Sequence, residues 1–165
     1  MRSSLTLFAT TTALFALSAP TSAQKVPAEI AAPGEKAVIT LHGQGAQIYE
    51  CTGKDGKFVW TFREPIASLF LDGKTVGRHY AGPNWEYMDG SAIVAKAAGS
   101  APGATAKDIP WLKLAVTAHR GKGMFSDVTT IQRINTSGGR VEGACKTLGT
   151  FFSAPYSTDY VFLKK

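Results

Sequence analysis

The densest concentration of reactive side chains in this 165-residue sequence lies between Gly77 and Ser91. His79, Tyr80, Trp85, Glu86, Tyr87 and Asp89 gather there around a Gly82-Pro83 turn. Imidazole titrates near neutrality, so His79 is a candidate general acid or base, with Glu86 or Asp89 to orient it. The spacing restricts that reading. Glu86 and Asp89 are three positions apart, and on a strand such residues project to opposite faces, so both cannot serve His79 unless the turn intervenes. The competing structural reading has His79 hydrogen-bonding backbone groups to fix the turn. No residue is assigned a catalytic role. His42, His79 and His119 would form a zinc or copper set only if three strands converged, and their spacing does not require it. No metal site and no cofactor are expected.

Trp60, Trp85, Trp111, Tyr49, Tyr80 and Tyr87 form the other chemical resource. Aromatic rings exposed on a β surface beside Asn, Gln and Asp stack on sugar rings and hydrogen-bond their hydroxyls. Trp60 and Trp111 read as core, whereas Trp85, next to Gly82-Pro83, is the ring expected to reach a cleft. Gly43-Gln44-Gly45 and Gly121-Lys122-Gly123 are not phosphate loops, because no helix follows either one; they read as turns or bulges. Ser91 lacks the G-x-S-x-G surroundings of a nucleophile elbow.

Strands must position these groups. Ala37, Ile39 and Leu41 alternate with Val38, Thr40 and His42, the same period of two recurs over Ala46–Cys51, Phe58–Phe62 and Leu112–His119, and Val128–Asn135 reads as another strand. The chain closes on the β-type run Tyr160-Val161-Phe162-Leu163. Asp-Gly occurs at Asp55-Gly56, Asp72-Gly73 and Asp89-Gly90, each pair 17 residues after the last. Asp-Gly suits the type I′ turn, so three successive hairpins are predicted. Residues 24–34 read as an extended lead-in, and 98–110, rich in Ala, Gly and Pro, as a long surface loop. No segment carries a sustained helical period. About ten short strands with regular turns predict an all-β fold, an antiparallel sandwich or barrel with meander hairpins.

The N-terminus has the three parts of a signal peptide: Arg2, an apolar stretch from Leu5 to Leu17, and Thr21-Ser22-Ala23 as the cleavage site. Residues 1–23 are therefore excluded from the fold, leaving a single β domain over 24–165. The apolar stretch falls short of the roughly 20 residues of a membrane span, and no later segment is long enough. An exported chain meets an oxidising compartment, and its two cysteines, Cys51 and Cys145, allow one intrachain disulfide joining an early strand to a late loop. The formal net charge is +6, of which Arg2 supplies one, and no basic run exceeds two residues. A nucleic-acid binder concentrates such charge on a stripe, so no nucleic acid partner is expected.

Several motifs together resemble one family. They are Gly43-x-Gly45-x-Gln47-x-Tyr49-x-Cys51, Gly77-x-His79-x-x-Gly82-Pro83-x-Trp85-x-x-x-Asp89-Gly90-Ser91, Ile109-Pro110-Trp111-Leu112, and Ile131-Gln132-Arg133-x-Asn135-Thr136-x-Gly138-Gly139 ahead of Cys145. This pattern resembles the domain of unknown function 3455, found in exported bacterial and fungal proteins. The resemblance implies an exported, disulfide-linked β domain, periplasmic or extracellular, and brings no activity with it. His42, Asn84, His119 and Glu142 lie outside the pattern. The resulting expectation is a non-enzymatic binding domain that takes a small molecule or glycan in a cleft near His79, Trp85, Glu86, Asp89 and Trp111. The alternatives are a His79-based hydrolase or metal-dependent enzyme, and a structural envelope or stress protein without a discrete ligand.

Overall fold

The structure is a computed structural model that describes residues 26–165; the predicted leader and its cleavage point lie outside these residues. Eight strands follow in order: β1 (Lys36–Lys54), β2 (Lys57–Leu71), β3 (Lys74–Tyr80), β4 (Asn84–Tyr87), β5 (Ala92–Ala101), β6 (Trp111–Arg120), β7 (Thr130–Gly138) and β8 (Phe151–Lys164). Each pairs antiparallel with its sequence neighbours, and β8 returns to pair with β1 from Lys36↔Lys164 to Glu50↔Phe151. The all-β expectation therefore resolves to a closed, up-and-down barrel. Closure removes the free sheet edges that a sandwich would leave.

The predicted strands over Ala37–His42 and Ala46–Cys51 are one continuous strand, and the described residues form eight strands where about ten were expected. Gly43 and Gly45 form neither a turn nor a bulge there. A Cβ on Gly43 would meet the Tyr160 ring at 2.6 Å, and one on Gly45 would meet the Ile66 carbonyl oxygen at 2.0 Å. Both are glycines because neighbouring groups occupy the space a side chain would need. The Asp55-Gly56 and Asp72-Gly73 turns have positive φ at both residues, as a type I′ hairpin requires. At the third turn only Gly90 has positive φ. Its amide donates to the Tyr87 carbonyl while Ser91 accepts from the Tyr87 amide, so this is a longer bulged turn and not type I′. The predicted 98–110 loop is shorter, since β5 runs on to Ala101.

Antiparallel alternation places the β1–β2 turn, 81–83, 102–110 and 139–150 at one end of the barrel. The turns at 72–73 and 88–91 and the segment 121–129 lie at the other. Leu41, Leu69, Trp85, Ile93, Phe125 and Phe162 are fully or almost fully buried in the main core. The lead-in folds as a 3₁₀ turn, Ala28–Ile30, on the outer face of the sheet. Ile30 packs there with Trp111 and Ala101, held by Gln132 Nε2 donating to the Ile30 carbonyl at 2.8 Å and Lys113 Nζ to the Ala31 carbonyl at 3.1 Å.

The Cys51–Cys145 disulfide is present. It pins the 139–150 segment, which meets β2 through Cys145 N donating to the Phe58 carbonyl at 3.0 Å and β1 through Cys51 N donating to the Thr150 carbonyl at 2.9 Å. This strap covers one end of the barrel. Replacing both cysteines by alanine is expected to cost about 2–5 kcal/mol in urea denaturation, given the 94-residue separation, and limited proteolysis should then cut first between 139 and 150. Gly45→Ala should cost about 3 kcal/mol by the same assay because backbone must move. Gly53→Ala, whose Cβ would meet only the Leu148 side chain at 3.9 Å, should stay within about 0.5 kcal/mol of the parent.

Candidate functional site

The residues expected to share one cleft are distributed over three places. His79 and Trp85 are cross-strand partners on the inner face of β3 and β4. Their rings stack with centroids 4.1 Å apart and planes 12° apart, and the Tyr160 ring meets both edge-on at 5.4 and 5.6 Å. Trp85 is 1% exposed and His79 3%. Trp85 thus fills the barrel interior and does not reach a cleft. Trp111 projects from the opposite face of the sheet, beneath the lead-in. It separates from Trp85 because Leu112 and Leu114, its neighbours in the alternation, are the residues of β6 that face inward.

His79 Nδ1 lies 2.8 Å from the Asn84 carbonyl, the turn-fixing bond. Burial pushes the His79 pKa down from 6.5 to about 3, against the Asn84 bond, and the nearby Arg133 charge lowers it further. The imidazole is therefore neutral at physiological pH. Glu86 pairs with Arg78 on the outer face, so His79 and Glu86 stand on opposite sides of the sheet and do not meet.

Asp89 belongs to the turn at the end opposite the disulfide. Its Oδ1 accepts from Ser91 Oγ at 2.6 Å and Ser91 N at 2.8 Å, and its Oδ2 accepts from Met124 N at 2.7 Å. These donors, Ser91 first and the Met124 amide second, hold its carboxyl below the usual carboxylate range. Asp89 thereby hangs the 121–129 segment from the sheet. That segment inserts Phe125, whose ring stacks on Phe162 at 4.4 Å; burying such a side chain stabilises by about 1.5–3 kcal/mol.

Glu86, on the outer face of the sheet, is half-buried, and its carboxylate sits in a cluster of charged and hydroxyl groups. Its carboxylate accepts from Arg78 Nη2 at 3.1 and 3.2 Å, from Tyr80 Oη at 3.0 Å and from Arg120 Nη2 at 2.9 Å. The Arg78 guanidinium also lies over the Tyr80 ring, 4.8 Å from its centroid. Hydrogen bonds from Arg78 and then Tyr80 hold the Glu86 carboxyl below its ordinary pKa, so it is ionised. Glu86 and Arg78 wall a groove of about 330 Å³ whose other sides are Ser68, Thr75, Tyr87 and Met88. Gly77 belongs to the same groove; a Cβ there would meet the Glu86 carbonyl at 2.3 Å. The groove therefore offers a carboxylate, guanidinium N–H groups, two hydroxyls and an apolar border.

Two features were not anticipated from sequence. Phe58 and Phe62, which share a face with Trp60, are 44% and 50% exposed, and Phe151 and Phe152 are similarly open. Phe62 is exposed because β3 pairs with β2 only from Ala67 to Leu71, leaving the upper part of β2 without β3 beside it. The second feature is an interior polar cluster of Gln47, Arg133, Tyr156 and Tyr160. Both Gln47 and Arg133 occur in the quoted motifs, and a polar residue at an inward position between Gly45 and Tyr49 was the available signal. Among the described residues no three His, Cys, Asp or Glu side chains converge as a metal site. His42 faces Asp159 at 3.1 Å, and His119 Nε2 lies 2.8 Å from the Val128 carbonyl.

Barrel, disulfide strap and surface groove together define a class: a small closed antiparallel barrel with plugged ends. A family model described as protein of unknown function (DUF3455) matches residues 31–164, and the chain belongs to that family. No curated protein and no solved structure matches it.

The buried neutral His79 has a measurable consequence. Between its folded pKa of about 3 and its ordinary 6.5, the unfolded chain binds a proton that the folded chain refuses. Stability therefore falls as pH drops from 6.5 towards 3, by up to about 1.4 kcal/mol per pH unit from this group. Glu86, Asp89 and Asp108, whose pKa values are depressed on folding, add losses of the same sign as pH falls through their ordinary values of 4.5, 3.8 and 3.8 and below. Denaturation at pH 6.5 and 4.5 should show this slope in the parent and not in His79→Phe; equal slopes would overturn the assignment.

Proposed function

We propose that this protein is an exported, non-enzymatic binding domain that takes a glycan or another small polyhydroxylated ligand in the groove beside Glu86. The observation that carries the reading is the ionised Glu86 carboxylate, fixed by two arginines and a tyrosine hydroxyl on the wall of a groove open to solvent. Vicinal hydroxyls each donate and accept, and a carboxylate beside guanidinium groups answers both needs at once. Met88, an exposed apolar side chain on the groove, offers surface to the C–H face of a ring, whereas the Tyr87 ring packs inward on Phe125. Exposed ion pairs add little to stability, about 0–1 kcal/mol each, so the cluster is more useful as a recognition surface than as a brace. The expected leader and the disulfide are compatible with export.

Support for an acid–base enzyme is weaker, since His79 and Glu86 occupy opposite faces of the sheet. The test is a glycan array followed by calorimetric titration of the best hit. Glu86→Ala should weaken binding by about tenfold or more, equivalent to about 1.4 kcal/mol, while changing stability by no more than about 1 kcal/mol. Unchanged affinity in that variant, or an array with no hit, would overturn the reading.

A further inference from the structure

We propose that the barrel interior, towards the disulfide end, holds a second binding site, for a small carboxylate-bearing anion clamped by Arg133, Gln47 and the Tyr156–Tyr160 hydroxyl pair. This site does not rest on the Glu86 groove. Arg133 on β7 is the cross-strand partner of Tyr160 on β8, so it shares the inward face with that ring. Its Nε and Nη2 both donate to the single carbonyl oxygen of Pro110, at 3.1 and 2.8 Å. The Tyr156 and Tyr160 hydroxyls lie 3.1 Å apart, and Gln47 neighbours Tyr156. Gln47 is 3% exposed and its Nε2 has no hydrogen-bond partner.

The cluster holds more donors than acceptors, even with the phenol oxygens counted, of which that of Tyr156 lies beside Gln47 and that of Tyr160 beside Arg133. A guanidinium carries five N–H groups and a primary amide two. Pro110 takes two of the former, and nothing takes the latter. The two phenols share one hydrogen bond, which uses one of their two protons. Charge is also unbalanced. Among the described residues no carboxylate pairs with Arg133, and the adjacent His79 is neutral. Trapped water would satisfy the loose N–H groups but leave a desolvated cation uncompensated. A carboxylate supplies both the missing charge and two acceptor oxygens, in the planar form that a guanidinium and a flanking amide match. Arg133 is the one member of the four that retains some exposure; Gln47, Tyr156 and Tyr160 are 3%, 3% and 0% exposed.

The experiment is calorimetric titration of the mature, oxidised protein with sodium acetate and sodium succinate at fixed ionic strength. Sodium chloride and sodium phosphate serve as separate probes, and thermal unfolding is followed in parallel. The expected result is saturable binding of acetate or succinate with a matching rise in Tm, and no saturation with chloride or phosphate. Arg133→Met should abolish saturation. Because that variant risks not folding, Gln47→Leu and Arg133→Lys provide independent arms, each expected to bind about tenfold more weakly. Failure of both carboxylates to saturate would overturn the proposal. So would an equal response to chloride, or unchanged affinity in both Gln47→Leu and Arg133→Lys.

Discussion

Everything inside this barrel depends on how closely β1 lets its neighbours approach. The strand pairs on both sides over most of its length, so its inward positions set the space available to the rings of β4 and β8. At Gly43 and Gly45 that space is given up entirely to Tyr160 on one side and to the Ile66–Ala67 backbone on the other. The Tyr160 ring can then meet Trp85 and His79 edge-on, and three large side chains fill a section of the barrel. An eight-stranded barrel is just wide enough for such filling. Aromatic geometry adds about 0.5–1.5 kcal/mol per pair beyond burial, so this stack is a centre of stability and not an open cleft.

The same packing separates the two kinds of polar group in the molecule. Inward polar groups are committed to the fold or left without acceptors: His79 bonds a carbonyl, Thr136 Oγ1 donates to the Ile109 carbonyl at 2.7 Å, and Gln47 Nε2 bonds nothing. Outward charges gather instead, as in the Arg78–Tyr80–Glu86–Arg120 cluster on neighbouring strands. Cross-strand register explains the sorting. Arg78↔Glu86 and His79↔Trp85 are adjacent pairs, so one step along the ladder turns an ionic surface into an aromatic interior.

Alternation made most of this architecture legible. The strands around Leu41, Phe58, Leu114 and Ile131 follow from a period of two, and Asp55-Gly56 and Asp72-Gly73 announced their turns through the positive φ they require. Closure was not legible, because no local signal tells the last strand to return to the first. The reading of Gly43-Gln44-Gly45 as a turn failed for a related reason: glycine there answers a long-range contact with Tyr160, and sequence alone does not distinguish that from a bend. In sequence Trp85 reads as the ring that reaches a cleft and Trp111 as core, and both are also expected near one ligand. Only three-dimensional placement sets one inside the barrel and the other beneath the lead-in. Glu86 was singled out for partnership with His79, and its real partners, Arg78 and Arg120, come from register across the sheet.

The two plugged ends bear on which surfaces remain for recognition. One end is sealed by Phe125, whose segment hangs from Asp89 and Ser91. The other is crossed by the disulfide-pinned strap and by the 102–110 loop. Asp108 ties that loop down by accepting from Gly138 N at 2.6 Å and from Thr105 N and Oγ1 at 2.8 and 2.7 Å. Both anchors are carboxylates whose pKa is lowered by the bonds they accept, so both fasten most firmly above the ordinary carboxylate pKa and loosen as acid protonates them. Arg133 grips the same loop through the Pro110 carbonyl. The guanidinium that faces the interior is thus also one of the groups that hold this loop in place.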